Sequence, residues 1–380
     1  MCIRARVRQT TPDYAEHRLS TSADAADGCL RYDVIVSDTK IAVAEPDAGT
    51  PPTRSQRLLV ATACTLIAAA FIIWRHTVQP TAFDIDHLWH AARAALQGRE
   101  PYDVVGPGRE YEWAWPLLYP MTAVVLAIPV ALLPDAVAST LLTSLSIGLL
   151  AYLLTREGYG RLPILVSACM MDAARAGQNS PLLTAAMLSP SLFWLTAAKP
   201  NIGLVMCAAT ESKRALIIAL AGGVFLVAIS FLLNPDWVVQ WRTSLQTTWH
   251  MRTPVLSFGG PLLLLALLRW RRPEARFLVA FACVPHSQAL YDLLPLGLTA
   301  RTFRESLTFS CLSVVAVVLY AQYTQNDPTR AATILNLTMY LPCLIAVLLR
   351  HNEGAPPAWL SVLLEWRDRR RLRASPIAQH

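Results

Sequence analysis

From residue 58 onward the chain is a succession of apolar runs separated by short polar breaks, and no other feature limits its fold as strongly. The first run, Leu58 to Trp74, preceded by Arg54 and Arg57, reads as a membrane span entered from the cytoplasm. Further runs occupy about 117–133, 136–154, 162–171, 181–198, 200–209, 215–233, 260–270, 276–285, 289–300, 307–323 and 331–349. Several fall short of the roughly 20 residues that a helix needs to cross a hydrocarbon core. Short apolar pieces are tolerated at membrane depth only where they are buried in protein or line a watery cavity, so broken or re-entrant helices are expected. The expected fold is an all-α polytopic membrane protein with about ten to twelve membrane helices, short segments included. Composition agrees: the chain is 54% hydrophobic and 16% charged, with a mean hydropathy of +0.38, against about 25% charged residues in soluble domains.

A net charge of +7 could suggest nucleic acid. The basic residues, however, fall in short clusters at Lys213 and Arg214, Arg269 to Arg276, Arg301 to Arg304, and Arg367 to Arg373. That is the pattern of cytoplasmic membrane loops, and no nucleic-acid partner is expected. It leaves residues 75–116, 234–259 and the turn around His286 on the outer side, in a multi-pass protein of the cell (plasma or inner) membrane. Trp237, Trp241, Arg242, Trp249, His250 and Arg252 crowd the second of these loops, and an aromatic belt accounts for the tryptophans. Eight cysteines show no metal-ligand spacing and read as small buried residues. Residues 1–55 are polar, end in a Pro-rich stretch, and read as a disordered cytoplasmic tail or an upstream extension. Residues 56–350 form the multi-span domain and 351–380 a basic cytoplasmic tail. No cleavable signal peptide is evident.

Polar groups inside such a chain are costly and usually face a cavity, a partner or a substrate. The segment after the first span holds Asp84, Asp86, His87 and His90. A helix from about 86 to 97 would place Asp86, His90, Arg93 and Gln97 on one stripe and Leu88, Ala91, Ala92, Ala95 and Leu96 on the other. Closed by Gly98, it would lie flat in the membrane interface, with Asp84 just ahead of it. Each carboxylate can be read as a helix cap or as a general base. His87 and His90 alone do not make a metal site, and neither metal nor cofactor is expected. The other breaks are Asp172 to Ser180, with Gln178 and Asn179; Lys199, Pro200 and Asn201; and Pro285 to Asp292, with His286 and Tyr291. Singly each has a plain reading: an Asp172–Arg175 pair, a snorkelling lysine, a buried histidine. Jointly they suggest one polar cavity, on the extracytoplasmic side, shared by Asp84, Gln178, Lys199 and His286.

The run from Asp84 to Tyr102, with its Ala91-Ala92 and Gly98-Arg99-Glu100-Pro101-Tyr102 elements, resembles the family 87 membrane glycosyltransferases of the GT-C class, which are polyprenyl-phosphate-mannose-dependent mannosyltransferases. Tyr119-Pro120, Gly177-Gln178-Asn179, Lys199-Pro200 and His286 through Asp292 follow in that family's order, so the resemblance covers roughly residues 57 to 349. It departs at Trp89, where tyrosine is usual, and in a short interval between Gln178 and Lys199. It implies a GT-C-like fold and transfer of a hexose, mannose by preference, from a polyprenyl-phosphate carrier to a hydroxyl of a glycan or glycolipid acceptor. Asp84, with Asp86 second, would be the base of a single inverting displacement. His286, Lys199 and Arg93 would face the lipid phosphate, and Gln178, Asn179, Tyr102 and Tyr291 the sugar or the base. The rival from another class is a transporter or lipid flippase using the same polar cavity, although no internal repeat supports it.

Overall fold

The computed structural model describes residues 51–78, 83–246, 251–324 and 327–374, with side chains as far as Arg367. The expectations for residues 1–50 and for Trp249 and His250 lie outside the described residues. Helices dominate, and five of those described are long and apolar enough to cross a membrane: Arg54–Val78, Asp135–Glu157, Lys213–Leu233, Phe303–Tyr323 and Pro328–Leu348. The first four contain no proline, so their backbone ladders run unbroken. The fifth carries Pro342, which lacks an N–H, and just ahead of it Asn336–Tyr340 widens into a π-helical turn.

Five described helices reach spanning length, and the remaining apolar segments are short, with proline as one physical reason. Pro181, Pro190, Pro200, Pro261 and Pro273 each stand in the first turn of a short segment. The run 181–198, long enough for a span, breaks at Pro190 into the helix Ser180–Met187 and the 3-10 helix Pro190–Ala198. Met121–Ala131, Pro200–Ala209 and Gly260–Arg269 are apolar but too short to cross. Short apolar pieces beside full-length helices are what the uneven lengths of the apolar runs predict. The all-helical expectation gives way in one small place, where Val105–Gly106 and Tyr111–Glu112 pair as parallel two-residue strands in the loop before residue 120.

Arg54–Val78 packs along Asp135–Leu154. The contact is close because Gly148 stands opposite Thr65: a Cβ there would sit 1.9 Å from the threonine hydroxyl. Arg57 closes the end of the pair, its guanidinium lying 4.0 Å from the centre of the Tyr152 ring and donating to the Tyr152 carbonyl. A large apolar core holds Leu150, Ile164, Leu263, Leu278, Phe281, Leu293 and Tyr340. A second, smaller core gathers Phe83, Leu88, Ala91, Leu117, Met121 and Trp237.

The segment after the first span forms the helix Asp84–Leu96, ending at Gln97 with Gly98 at φ +69°. Its end is as expected. Its start is not: Asp84 opens the helix rather than preceding it. Nor is the helix a ribbon with one wet face, because Ile85, Asp86, His87, Leu88, Ala91, Ala92 and Ala94 are all buried, leaving Arg93, Leu96 and Gln97 exposed. The helix packs against Met121–Ala131, and of the expected polar stripe Asp86 is buried, His90 half-buried, and Arg93 and Gln97 exposed.

Candidate functional site

Several short elements end at the same place. The first turn of Asp84–Leu96, the N-termini of Ser180–Met187 and Pro200–Ala209, the C-terminus of Pro273–Cys283, the start of Leu290–Thr299 and the end of Phe303–Tyr323 converge on a cavity of about 1040 Å³. Its walls include Asp84, His87, Trp113, Tyr119, Gln178, Lys199, Trp241, His286, Ser287, Tyr291 and Asp292. The four residues expected to share a cavity do share it, and Tyr291 joins them. The opposite ends of three of these rods carry Thr210, Glu274 and Arg301, beside a second, small cleft.

Asp84 is placed by a fitted corner. The helix Ala168–Ala176 stops at Gly177, left-handed at φ +65°, where a Cβ would fall 2.6 Å from the Phe83 ring. Only glycine satisfies both conditions. The turn delivers the next residue, Gln178, whose side-chain amide donates to Asp84 Oδ2. Burial holds the Asp84 carboxyl above its ordinary range, partly offset by the hydrogen bond from Gln178 and by Tyr291.

Asp86, the second candidate base, is not among the cavity walls. Its Oδ2 accepts the N–H of Phe83 at 2.7 Å, the arrangement that closes a helix N-terminus. Burial raises its carboxyl to about 6 in spite of that bond. His87 lines the cavity with its ring 5.2 Å from Trp113 and 5.5 Å from Tyr119, and burial lowers its pKa to about 3. No group of three or more His, Cys, Asp or Glu side chains suited to a metal occurs among the described residues.

Across the cavity Lys199 Nζ donates to Asp292 Oδ1 at 2.5 Å, and the Ser287 hydroxyl donates to the other carboxylate oxygen. Asn201 donates to the Pro285 carbonyl at 3.0 Å, and Asp172 accepts from Arg175 at 2.9 Å and from the Tyr291 N–H at 3.2 Å. The polar breaks therefore hold one another. Asp172 and Arg175 do pair, and that pair also anchors the Tyr291 loop.

Placement also separates the expected phosphate ligands. Arg93 lies outside the cavity, its guanidinium donating to the Ala131 carbonyl and lying 5.0 Å from the centre of the Trp89 ring. His286 lines the cavity, but Nδ1 faces the Ser287 carbonyl at 2.8 Å and Nε2 faces the Tyr340 hydroxyl at 2.6 Å. A carbonyl only accepts, so Nδ1 carries the proton and Nε2 accepts from Tyr340. Both ring nitrogens are spent. Among the described residues, Lys199 is the single Lys or Arg in the cavity walls. Tyr102 is also away from the walls, and its hydroxyl donates to the Tyr119 carbonyl at 3.1 Å. Asn179 sits beside Gln178 with its Oδ1 buried and without a hydrogen bond.

Sequence reasoning passed over Asp292 as a site residue, although a carboxylate inside an apolar run is itself a signal. It had no means of finding Tyr340, an ordinary aromatic in the last span whose role comes from His286. Comparison of the chain with protein-family models, with curated proteins and with solved structures finds no match in any of the three.

Proposed function

We propose that this chain is a membrane glycosyltransferase that moves a hexose from a polyprenyl-phosphate carrier to a hydroxyl of a glycan or glycolipid acceptor, on the outer side of the cell membrane. The observation that carries the reading is the large cavity in which a half-buried carboxylate, Asp84, is oriented by Gln178 and faced by the Lys199–Asp292 pair. Asp84 takes the proton of the acceptor hydroxyl as its oxygen attacks the anomeric carbon. The bond from that carbon to the phosphate oxygen breaks, and the lipid phosphate leaves with the electron pair. Inversion follows from the single displacement, so no protein nucleophile is needed. Lys199 is the cation available to the phosphate. His87 and Gln288 line the cavity, and each keeps one buried side-chain nitrogen, Nδ1 and Nε2, without a hydrogen bond within the protein.

The test is incubation of the purified protein in lipid with a radiolabelled polyprenyl-phosphate sugar and extracted membrane glycans. Asp84→Asn keeps size and hydrogen bonding but removes the proton acceptor, and should cut transfer by on the order of 10² to 10⁴ while leaving donor binding intact. Asp86→Asn should cost little, because asparagine is itself a good group at a helix start. An active Asp84→Asn beside a dead Asp86→Asn reassigns the base, and full activity in both removes the carboxylate mechanism. Saturable donor binding without transfer favours a transporter instead.

A further inference from the structure

The end of the molecule opposite the cavity carries the basic clusters. Arg276 donates to the Ala209 carbonyl at 2.9 Å and to the Ala355 carbonyl at 3.2 Å, and Arg269 donates to the Leu348 carbonyl at 3.0 Å. These arginines fasten the chain that follows the last span. The Ala358 N–H then donates to the Thr210 carbonyl at 3.0 Å, and the helix Ala358–Ala374 begins there. Glu365 pairs with Lys213, in the first turn of the span Lys213–Leu233. The final helix thus leaves the bundle at the level where a span begins, which is the level of a membrane surface.

Its sequence suits that place. Trp359, Val362, Leu363 and Trp366 are spaced i, i+3, i+4 and i+7, so they share one face, and they are 45, 47, 55 and 52% exposed. Immediately after them, residues 367–373 hold five arginines and one aspartate. The helix is too charged to be a span, and at about 1.5 Å per residue it reaches roughly 26 Å. We propose that Ala358–Ala374 lies on the anionic lipid surface at this end of the molecule, its tryptophan face in the headgroup region and its arginine run against lipid phosphates. Exposed aromatic and aliphatic side chains followed by a dense cationic run suit a helix lying on a lipid surface, since apolar contact and attraction to anionic lipid add. The inference stands apart from the proposed chemistry, because it uses only the fold and the charge at the opposite end.

Hydrogen–deuterium exchange of the full chain in lipid nanodiscs tests it, comparing phosphatidylcholine alone with discs in which about a third of the lipid is phosphatidylglycerol. Amides of 358–374 should exchange about tenfold more slowly in the anionic discs, and the difference should shrink at high salt. Trp359→Ser with Trp366→Ser should abolish the difference, and so should Arg367→Gln with Arg371→Gln, while Lys213–Leu233 exchanges as before. Equal rates in the two lipids overturn the proposal. So does equal protection in detergent, which would mean that the protein itself covers the helix, or protection that rises with protein concentration, which would mean that a second copy does.

Discussion

Lys199 and Asp292 form a buried pair in the cavity wall. The Asp292 side chain is 3% exposed and its charge is balanced by Lys199 with help from Ser287. Lys199→Met should therefore destabilise the fold by roughly 3–5 kcal/mol, because an unpaired carboxylate is left behind, whereas Lys199→Met with Asp292→Leu should recover much of the loss. Thermal unfolding in one detergent reads both. A single variant as stable as the parent would show that the pair contributes nothing to the fold. His87 makes a pH prediction. With a pKa of about 3 in the fold and about 6.5 when unfolded, it stays neutral in the folded protein while the unfolded chain takes up a proton. Its contribution is complete above pH 6.5 and is lost as pH falls toward 3, by about 1.4 kcal/mol per unit. Asp84 and Asp86 act in the opposite sense, because their carboxyls are raised in the fold and bind protons more tightly there. His87→Phe, which keeps a ring against Trp113 and Tyr119, should unfold less readily in acid than the parent. Parallel acid-unfolding curves would remove His87 from the account. For transfer itself, a base raised by burial places the acid limb of the rate profile above the ordinary carboxylate range of about 4.

At the scale of elements, what matters is how short helices are stopped and turned. Gly177 ends one helix, admits the Phe83 ring, and sets Gln178 against Asp84. Gly177→Ala should cost roughly 1–3 kcal/mol from the left-handed backbone and the crowding of Phe83, and should lower transfer more than donor binding because Asp84 moves with Phe83. Measuring both rate and donor affinity separates this from plain unfolding. If transfer is unchanged, the corner does not position the base. Elements were also where the sequence was easiest to misread. Apolar periodicity cannot tell a spanning helix from two short ones joined at a proline, and the apolar run 181–198 is two pieces, broken at Pro190. The exposed stripe expected from Asp86, His90, Arg93 and Gln97 fails at its first member, because the Asp86 carboxylate turns back to the Phe83 N–H and is buried, whereas Arg93 and Gln97 are exposed.

Across the whole molecule, the end away from the cavity carries a dense arginine–glutamate network. Arg272, Arg301 and Arg350 surround the buried Glu274, Arg350 also meets Glu305, and Arg276 meets Glu211, all far along the rods from Asp84 and Asp292. Arginines gathered at that end predict one orientation in a membrane. In a cysteine-free background, a cysteine replacing the exposed Arg109 should react with a membrane-impermeant maleimide in intact cells. One replacing the exposed His351 should react only after permeabilisation. The reverse pattern would turn the molecule over and place the cavity on the cytoplasmic side.

The sequence by itself determined the helical, apolar character of the chain, because it follows from local composition and the cost of charge in lipid. It also marked the polar breaks, since a carboxylate or lysine within an apolar run has to be held by something. Which groups hold one another was decided only by the tertiary structure. Asp84 meets Gln178 and Lys199 meets Asp292 across more than ninety residues, His286 is closed off by Tyr340, and Arg93 is turned away to Ala131. Partners that far apart leave no trace in local spacing, because which faces of the short helices come together depends on where each proline breaks the backbone and how the resulting rods pack.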